Sequence, residues 1–409
     1  MSGHNTSAIA KLGKERVPGL CREAVGATIV RLNMRPASTR RLFLSFALAL
    51  LTPIAATAQQ SSSAYGPLPV FEFHSGFWIN LHHMLYYEAK LRQTPPAAPQ
   101  KGASVPQIKL KTMKDTATPL SPAERLAWDS AVAYYVTNYA NKDLLFNNDM
   151  ILLKNQLGDF EDCDELSGTR KKTCDAGLPP KLTLVLEAAA PAYRAHLWPD
   201  QDRANRRWVA RVAPLIEEQG VGISQRLADI YQTKWPKEKI RVDVSVYANW
   251  AGAYTTLDPL RVTISSTDAR NQGDEAFEVL FHEASHGIAE PVQSAIVREC
   301  RQRDKAIPRD LWHALIFYTT GEVIRPLLTP ADADNGPQNN PDKKEDAVKP
   351  NANRPPASRK ETYIPYAIRE GLYERGWKDY LQLLTRFWQP YLENKSTFDD
   401  AIARMVSAL

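Results

Sequence analysis

Two histidines four positions apart, His282 and His286, and the glutamate between them, Glu283, form the arrangement in this chain best suited to chemistry. They lie in the segment Asp274 to Glu290, whose spacing predicts a helix of about four turns. Asp274 stands where a side-chain oxygen can cap the helix start, and Pro291 stands where the helix should stop. Four residues make about one turn, so both imidazoles leave one face and can reach a single zinc ion at ~2.0–2.1 Å. Glu283 lies about 100° further round, facing the position that a water would take. Zinc brings the pKa of such a water to near 7, and a carboxylate beside it can accept the proton as the water attacks a carbonyl. The expected chemistry is zinc-dependent hydrolysis with Glu283 as general base.

A catalytic zinc needs a third protein donor. The helix predicted from Leu311 to Arg325, bounded by Asp310 and Pro326, offers His313 and Glu322. These are nine residues apart, about 180° on a regular helix, so the two do not bind one ion together. The residues around the histidine pair resemble the signature of the zincin metallopeptidases: Val279 three before the first His, uncharged Leu280, Ala284, Ser285 and Gly287, apolar Ile288, and no proline inside. Glu322 resembles the third ligand of the gluzincin branch, with Gly321 letting two helices approach, although Arg325 and Pro326 occupy the turn where that branch carries an aspartate. The resemblance spans about residues 241–325 and implies His282, His286 and Glu322 as the metal set. His313 is then the alternative ligand, or a catalytic group that donates to the developing oxyanion or orients a ligand from behind. Tyr318, Tyr363 and Tyr366 are further oxyanion candidates, although aromatic residues at helical spacing are more often core.

The implied activity is that of a zinc peptidase acting on a peptide or protein. Two alternatives stay open: a zinc-binding scaffold that has lost turnover, and a zinc hydrolase of non-peptide amides. No Gly-rich phosphate loop or GxSxG elbow is present, which removes nucleotide-binding and serine-hydrolase readings. His74, His82 and His83 form a second histidine patch; with no Cys or carboxylate at ligand spacing beside them, they read as packing groups.

The elements that must position these residues read as a mostly α-helical α+β fold. Lys239 to Tyr247 alternates polar and apolar residues as a half-buried strand does, and Arg261 to Ser266 reads as a second strand. Together they predict a β-hairpin, hence a small antiparallel sheet before the histidine helix. In zincins such a sheet has an edge strand that runs along the cleft and pairs with extended substrate. Helical spacing marks Val70–Leu91 as a buried helix, and Pro122 opens another. Leu182 to Tyr231 reads as helical with breaks at Pro191, Pro199, Pro214 and Gly220–Gly222, and helices resume from Tyr366 to Leu409.

Export is the expected destination. Arg40 and Arg41 precede an apolar run from Leu42 to Ala56, too short for a comfortable bilayer span, and Ala56-Thr57-Ala58 has the small residues of a cleavage site. Residues 34–58 therefore read as a signal peptide, either general secretory or twin-arginine in type, and 1–33 as an extension outside the native product. The mature chain should be periplasmic or extracellular with no stable membrane insertion. Residues 59–330 and 361–409 form the expected catalytic unit. Residues 331–360, rich in Pro, Asn, Asp and Lys, read as a disordered insert.

The first 58 residues hold eight Lys or Arg, which accounts for the formal charge of +5 and leaves the rest nearly balanced. That gives no electrostatic reason to expect nucleic acid or an anionic membrane as partner. Cys163 and Cys174 flank a short polar loop that a disulfide could close in an oxidising compartment, leaving Cys300 unpaired.

Overall fold

Alternation along one strand organises the centre of the molecule. In the computed structural model, which describes residues 70–93, 109–329 and 362–409, β2 (Ile240–Ser245) points Ile240, Val242 and Val244 to one face and Arg241, Asp243 and Ser245 to the other. It lies inside a four-stranded sheet of order β1-β2-β4-β3, with β1 at Phe71–His74, β3 at Ala253–Leu257 and β4 at Leu260–Ser265. The sheet is mixed, and this corrects the antiparallel hairpin expected of the two strands read from the sequence. Those strands, β2 and β4, are parallel neighbours with Val242 beside Val262, and the antiparallel partner of β4 is the short β3. Side-chain alternation determines which face a residue takes, not which strand lies alongside.

Helices cover both faces of this sheet. The apolar face packs with α5 (Trp198–Ile230), α6 (Gly273–Ser285) and α8 (Leu311–Leu328) into one hydrophobic core. On the other side lie α1 (Phe77–Gln93), α2 (Pro122–Asn138), α3 (Asn148–Asp159) and α4 (Pro180–His196), around a second core. The polar face of β2 is therefore buried as well, where a half-buried strand was expected. Arg241 Nε donates to Asp243 Oδ1 at 2.7 Å, and fully buried Lys154 of α3 stands 3.7 Å from Asp243 Oδ2. Asn80 donates to the Val244 carbonyl at 3.1 Å. Such pairing is what makes burial of these groups tolerable.

Local signals account for much of the helix placement. Ser121 and Glu124 form a reciprocal capping box at the start of α2, with Pro122 in the first turn, where its missing N–H costs nothing. Three expectations are corrected. Residues 71–74 are strand β1, and the aromatic-rich helix starts only at Phe77. Pro191 lies inside α4, and Pro214, Gly220 and Gly222 lie inside an unbroken α5 of 33 residues. An interior proline costs ~3 kcal/mol, and the buried stripe Trp208, Val212, Ile216, Ile223 and Leu227 of α5 offsets it. The histidine helix is also shorter than expected: α6 ends at Ser285, and Pro291 opens the next helix, α7 (Glu290–Gln302), instead of closing this one.

The C-terminal part, from α9 (Tyr366–Arg369) through short helices to α13 (Phe398–Ala408), joins the core that contains α6 and α8. Cys163 and Cys174 are disulfide-bonded, and Cys300 is free and buried. The expected extension, signal peptide and insert lie outside the described residues. Among those described, no helix is long and apolar enough to cross a membrane.

Candidate metal centre

Helix α6 starts at Gly273, whose φ of +58° suits glycine, and the carboxylates of Asp274 and Glu275 sit in its first turn, where the helix dipole favours them. The cap position is Gln272, which makes no side-chain capping bond, so the expected Asp274 cap is replaced. At the other end His286 still has helical angles, φ −57° and ψ −33°, which keeps its ring on the same face as that of His282. The chain then passes tightly by β4: a Cβ on Gly287 would lie 2.6 Å from Leu260 Cδ2.

His313, in the first turn of α8, completes a cluster with these two. The ligand atoms of His282, His286 and His313 lie within 4.8 Å of one another. Their ring centres form a nearly equilateral triangle, 5.1 Å between His282 and His286, 5.3 Å between His282 and His313, and 5.0 Å between His286 and His313. Three imidazoles bound tetrahedrally to one zinc at ~2.0–2.1 Å have ring centres about 5 Å apart, so the spacing fits such an ion. His282 Nδ1 supports the fit, being buried with no hydrogen-bond partner among the described residues.

Aromatic rings enclose the cluster. Phe317 stacks on His282 at 3.4 Å, Trp312 meets His286 edge-on at 5.5 Å, and Trp377 meets His313 at 5.4 Å. Burial of this kind disfavours imidazolium; repulsion from neighbouring rings adds to it at His282 and His286, while Asp310 opposes it at His313. His282 is held well below its usual pKa, His286 is lowered to about 3 and His313 to about 4. All three are neutral near pH 7, the form in which an imidazole offers a lone pair.

Glu283 is buried, and the Thr255 hydroxyl of β3 lies 2.7 Å from its Oε2 and 2.8 Å from its carbonyl oxygen, alternative acceptors for one proton. Burial pushes this carboxyl up to about 7, against the opposing effect of the Thr255 bond. A carboxyl in that range can take up and release a proton at neutral pH.

Glu322, the third ligand implied by the resemblance, is not brought to the histidine pair. It lies further along α8, ion-paired to Arg325, and the cluster forms with His313 instead. The half-turn between positions 313 and 322 is the physical reason: α8 presents one of them to α6 and turns the other away. Of the tyrosines, Tyr318 donates to Gln389 at 2.9 Å and Tyr363 donates to Glu278 at 2.7 Å. Tyr366 stacks on Phe317 at 5.8 Å, within electrostatic reach of Glu283 and Arg270.

His74, His82 and His83 serve other contacts, with Glu161, Tyr135 and Ser245 respectively. Thr255 and the aromatic enclosure were missed by sequence reasoning. Thr255 lies in a strand too short to announce itself, while the one-turn spacing of Phe317 from His313 was a usable signal.

Compared with known proteins, the chain matches no family model, no curated protein and no solved structure.

Proposed function

We propose that the protein is a zinc-dependent hydrolase that cleaves peptide bonds, with His282, His286 and His313 as the metal ligands and Glu283 as the general base. The observation that carries this reading is the clustering of three imidazoles, with the buried carboxyl of Glu283 next along the helix from His282. When bound there, zinc would supply Lewis acidity and lower the pKa of water. The rest of the chemistry belongs to the chain. Glu283 accepts a proton from the attacking water and delivers it to the departing amine, and the Thr255 hydroxyl holds its carboxyl in place. The aromatic enclosure limits bulk water and strengthens each electrostatic interaction inside it.

A peptide is the substrate best suited to the surroundings. Among the described strands β3 lies at the sheet edge, paired with β4 and tied to α6 through Thr255, so its outer edge can offer backbone groups to an extended chain. Export fits the same reading, because the Cys163–Cys174 bridge suits an oxidising compartment.

The test combines metal analysis with one substitution. The protein should take up about one zinc per chain, and Glu283→Gln should retain it while losing turnover of casein or a peptide library. Zinc uptake without Glu283-dependent turnover of any peptide would sink the peptidase reading and leave a zinc-binding protein.

A further inference from the structure

One buried carboxylate beside the centre plays no part in the proposed chemistry. Glu278 is 1% exposed and lies one turn before His282, so that Glu278, His282 and His286 follow one face of α6. Its Oε2 accepts two hydrogen bonds from a single short segment, 2.7 Å from the Tyr363 hydroxyl and 2.9 Å from the Tyr366 backbone N–H. Its Oε1 is buried without a hydrogen-bond partner among the described residues. Gly321 of α8 makes the room: a Cβ there would lie 2.6 Å from Pro365 Cβ and 3.2 Å from Glu278 Oε1.

The segment held in this way carries Tyr366 to the metal centre. Its ring lies nearly parallel to Phe317, at 8°, and Phe317 in turn lies at 15° to His282. The Tyr366 hydroxyl makes no hydrogen bond among the described residues, yet it stands within electrostatic reach of Glu283. A phenol in that position can donate to a ligand bound at the three histidines.

We propose that Glu278 is a positioning residue: by anchoring the strap Tyr363–Tyr366 to the metal helix, it places the Tyr366 hydroxyl where a bound peptide carbonyl or its analogue can accept a hydrogen bond. The inference rests on the zinc-hydrolase reading and assigns Glu278 no contact with substrate. It requires that Glu278 act through Tyr366, so the two must be energetically coupled.

The experiment uses the full chain loaded with zinc and an N-acyl peptide hydroxamate as a metal-directed probe, with affinity read by calorimetry and zinc content by metal analysis. Tyr366→Phe should weaken the probe about tenfold through loss of one hydrogen bond. Glu278→Ala should weaken it to a similar extent with zinc content unchanged, and Glu278→Gln, which keeps an acceptor oxygen, should restore most of the affinity. Glu278→Ala combined with Tyr366→Phe should be no weaker than Tyr366→Phe alone. Tyr363→Phe removes only one hydroxyl from the anchor and serves if Glu278→Ala does not fold; a severalfold loss is expected. Wild-type affinity in Tyr363→Phe or Glu278→Ala, or losses that multiply in the double variant, overturns the inference while leaving the zinc reading intact. A wild-type chain that takes up no zinc overturns both, and metal analysis reveals it before any probe is added.

Discussion

Replacing His313 with alanine, set beside replacement of Glu322 with glutamine, separates two arrangements that the sequence left open. In the structure the ligand atom of His313 lies within 4.8 Å of those of His282 and His286, while Glu322 is ion-paired to Arg325. Structural zinc sites bind with roughly 10–16 kcal/mol shared among four donors, which gives about 2.5–4 kcal/mol per donor. Loss of His313 should therefore weaken zinc by roughly 10²–10³-fold, whereas residues that only orient a ligand typically account for ~10–100-fold. Glu322→Gln gives up a part-buried ion pair with Arg325 away from the three histidines and should leave zinc affinity close to that of the wild type. Competition against a chromophoric chelator measures both, with circular dichroism as a check that each variant folds. Should His313→Ala bind zinc like the wild type while Glu322→Gln loses it, the assignment from ring geometry is wrong and the gluzincin-type ligand set is right.

Three further outcomes follow from buried groups. Burial raises the Glu278 carboxyl from 4.5 to about 7, so between those values the folded chain holds a proton that the unfolded chain has released. Its contribution is complete below the lower value and is lost as pH rises through the upper one, about 3 kcal/mol in total; urea unfolding of Glu278→Gln should show a flatter pH profile across that window. Lys154→Met keeps the bulk but removes a charge 3.7 Å from buried Asp243, which retains Arg241 as its partner, and should cost about 1–3 kcal/mol in urea unfolding. A methyl group at position 321 would lie 2.6 Å from Pro365, so Gly321→Ala should destabilise the chain by about 1–3 kcal/mol in denaturant titration, chiefly by displacing the strap.

What could be read without the structure was local. Helical periodicity alone puts His282 and His286 on one face one turn apart, and Pro122 marks the start of α2, because both signals are local. Prolines misled where packing outweighed propensity, as at Pro214 within α5 and at Pro291, which opens α7 and does not merely end α6. The sheet was half legible. Alternation from Lys239 to Tyr247 identified a strand, but β2 pairs in parallel with β4 through contacts that no local pattern encodes, and β3 was hidden in what read as a turn.

The sequence by itself determined the pair of imidazoles, the carboxylate between them and the mostly helical α+β character of the chain. Tertiary structure decided the rest of the centre: which of two donors on α8 turns toward α6, which strand supplies the hydroxyl that holds Glu283, and which rings keep the histidines neutral. The physical reason is one of range. A helix sets the angles between its own residues within a turn or two, whereas the approach of α8 to α6 depends on the packing of a core drawn from distant parts of the chain.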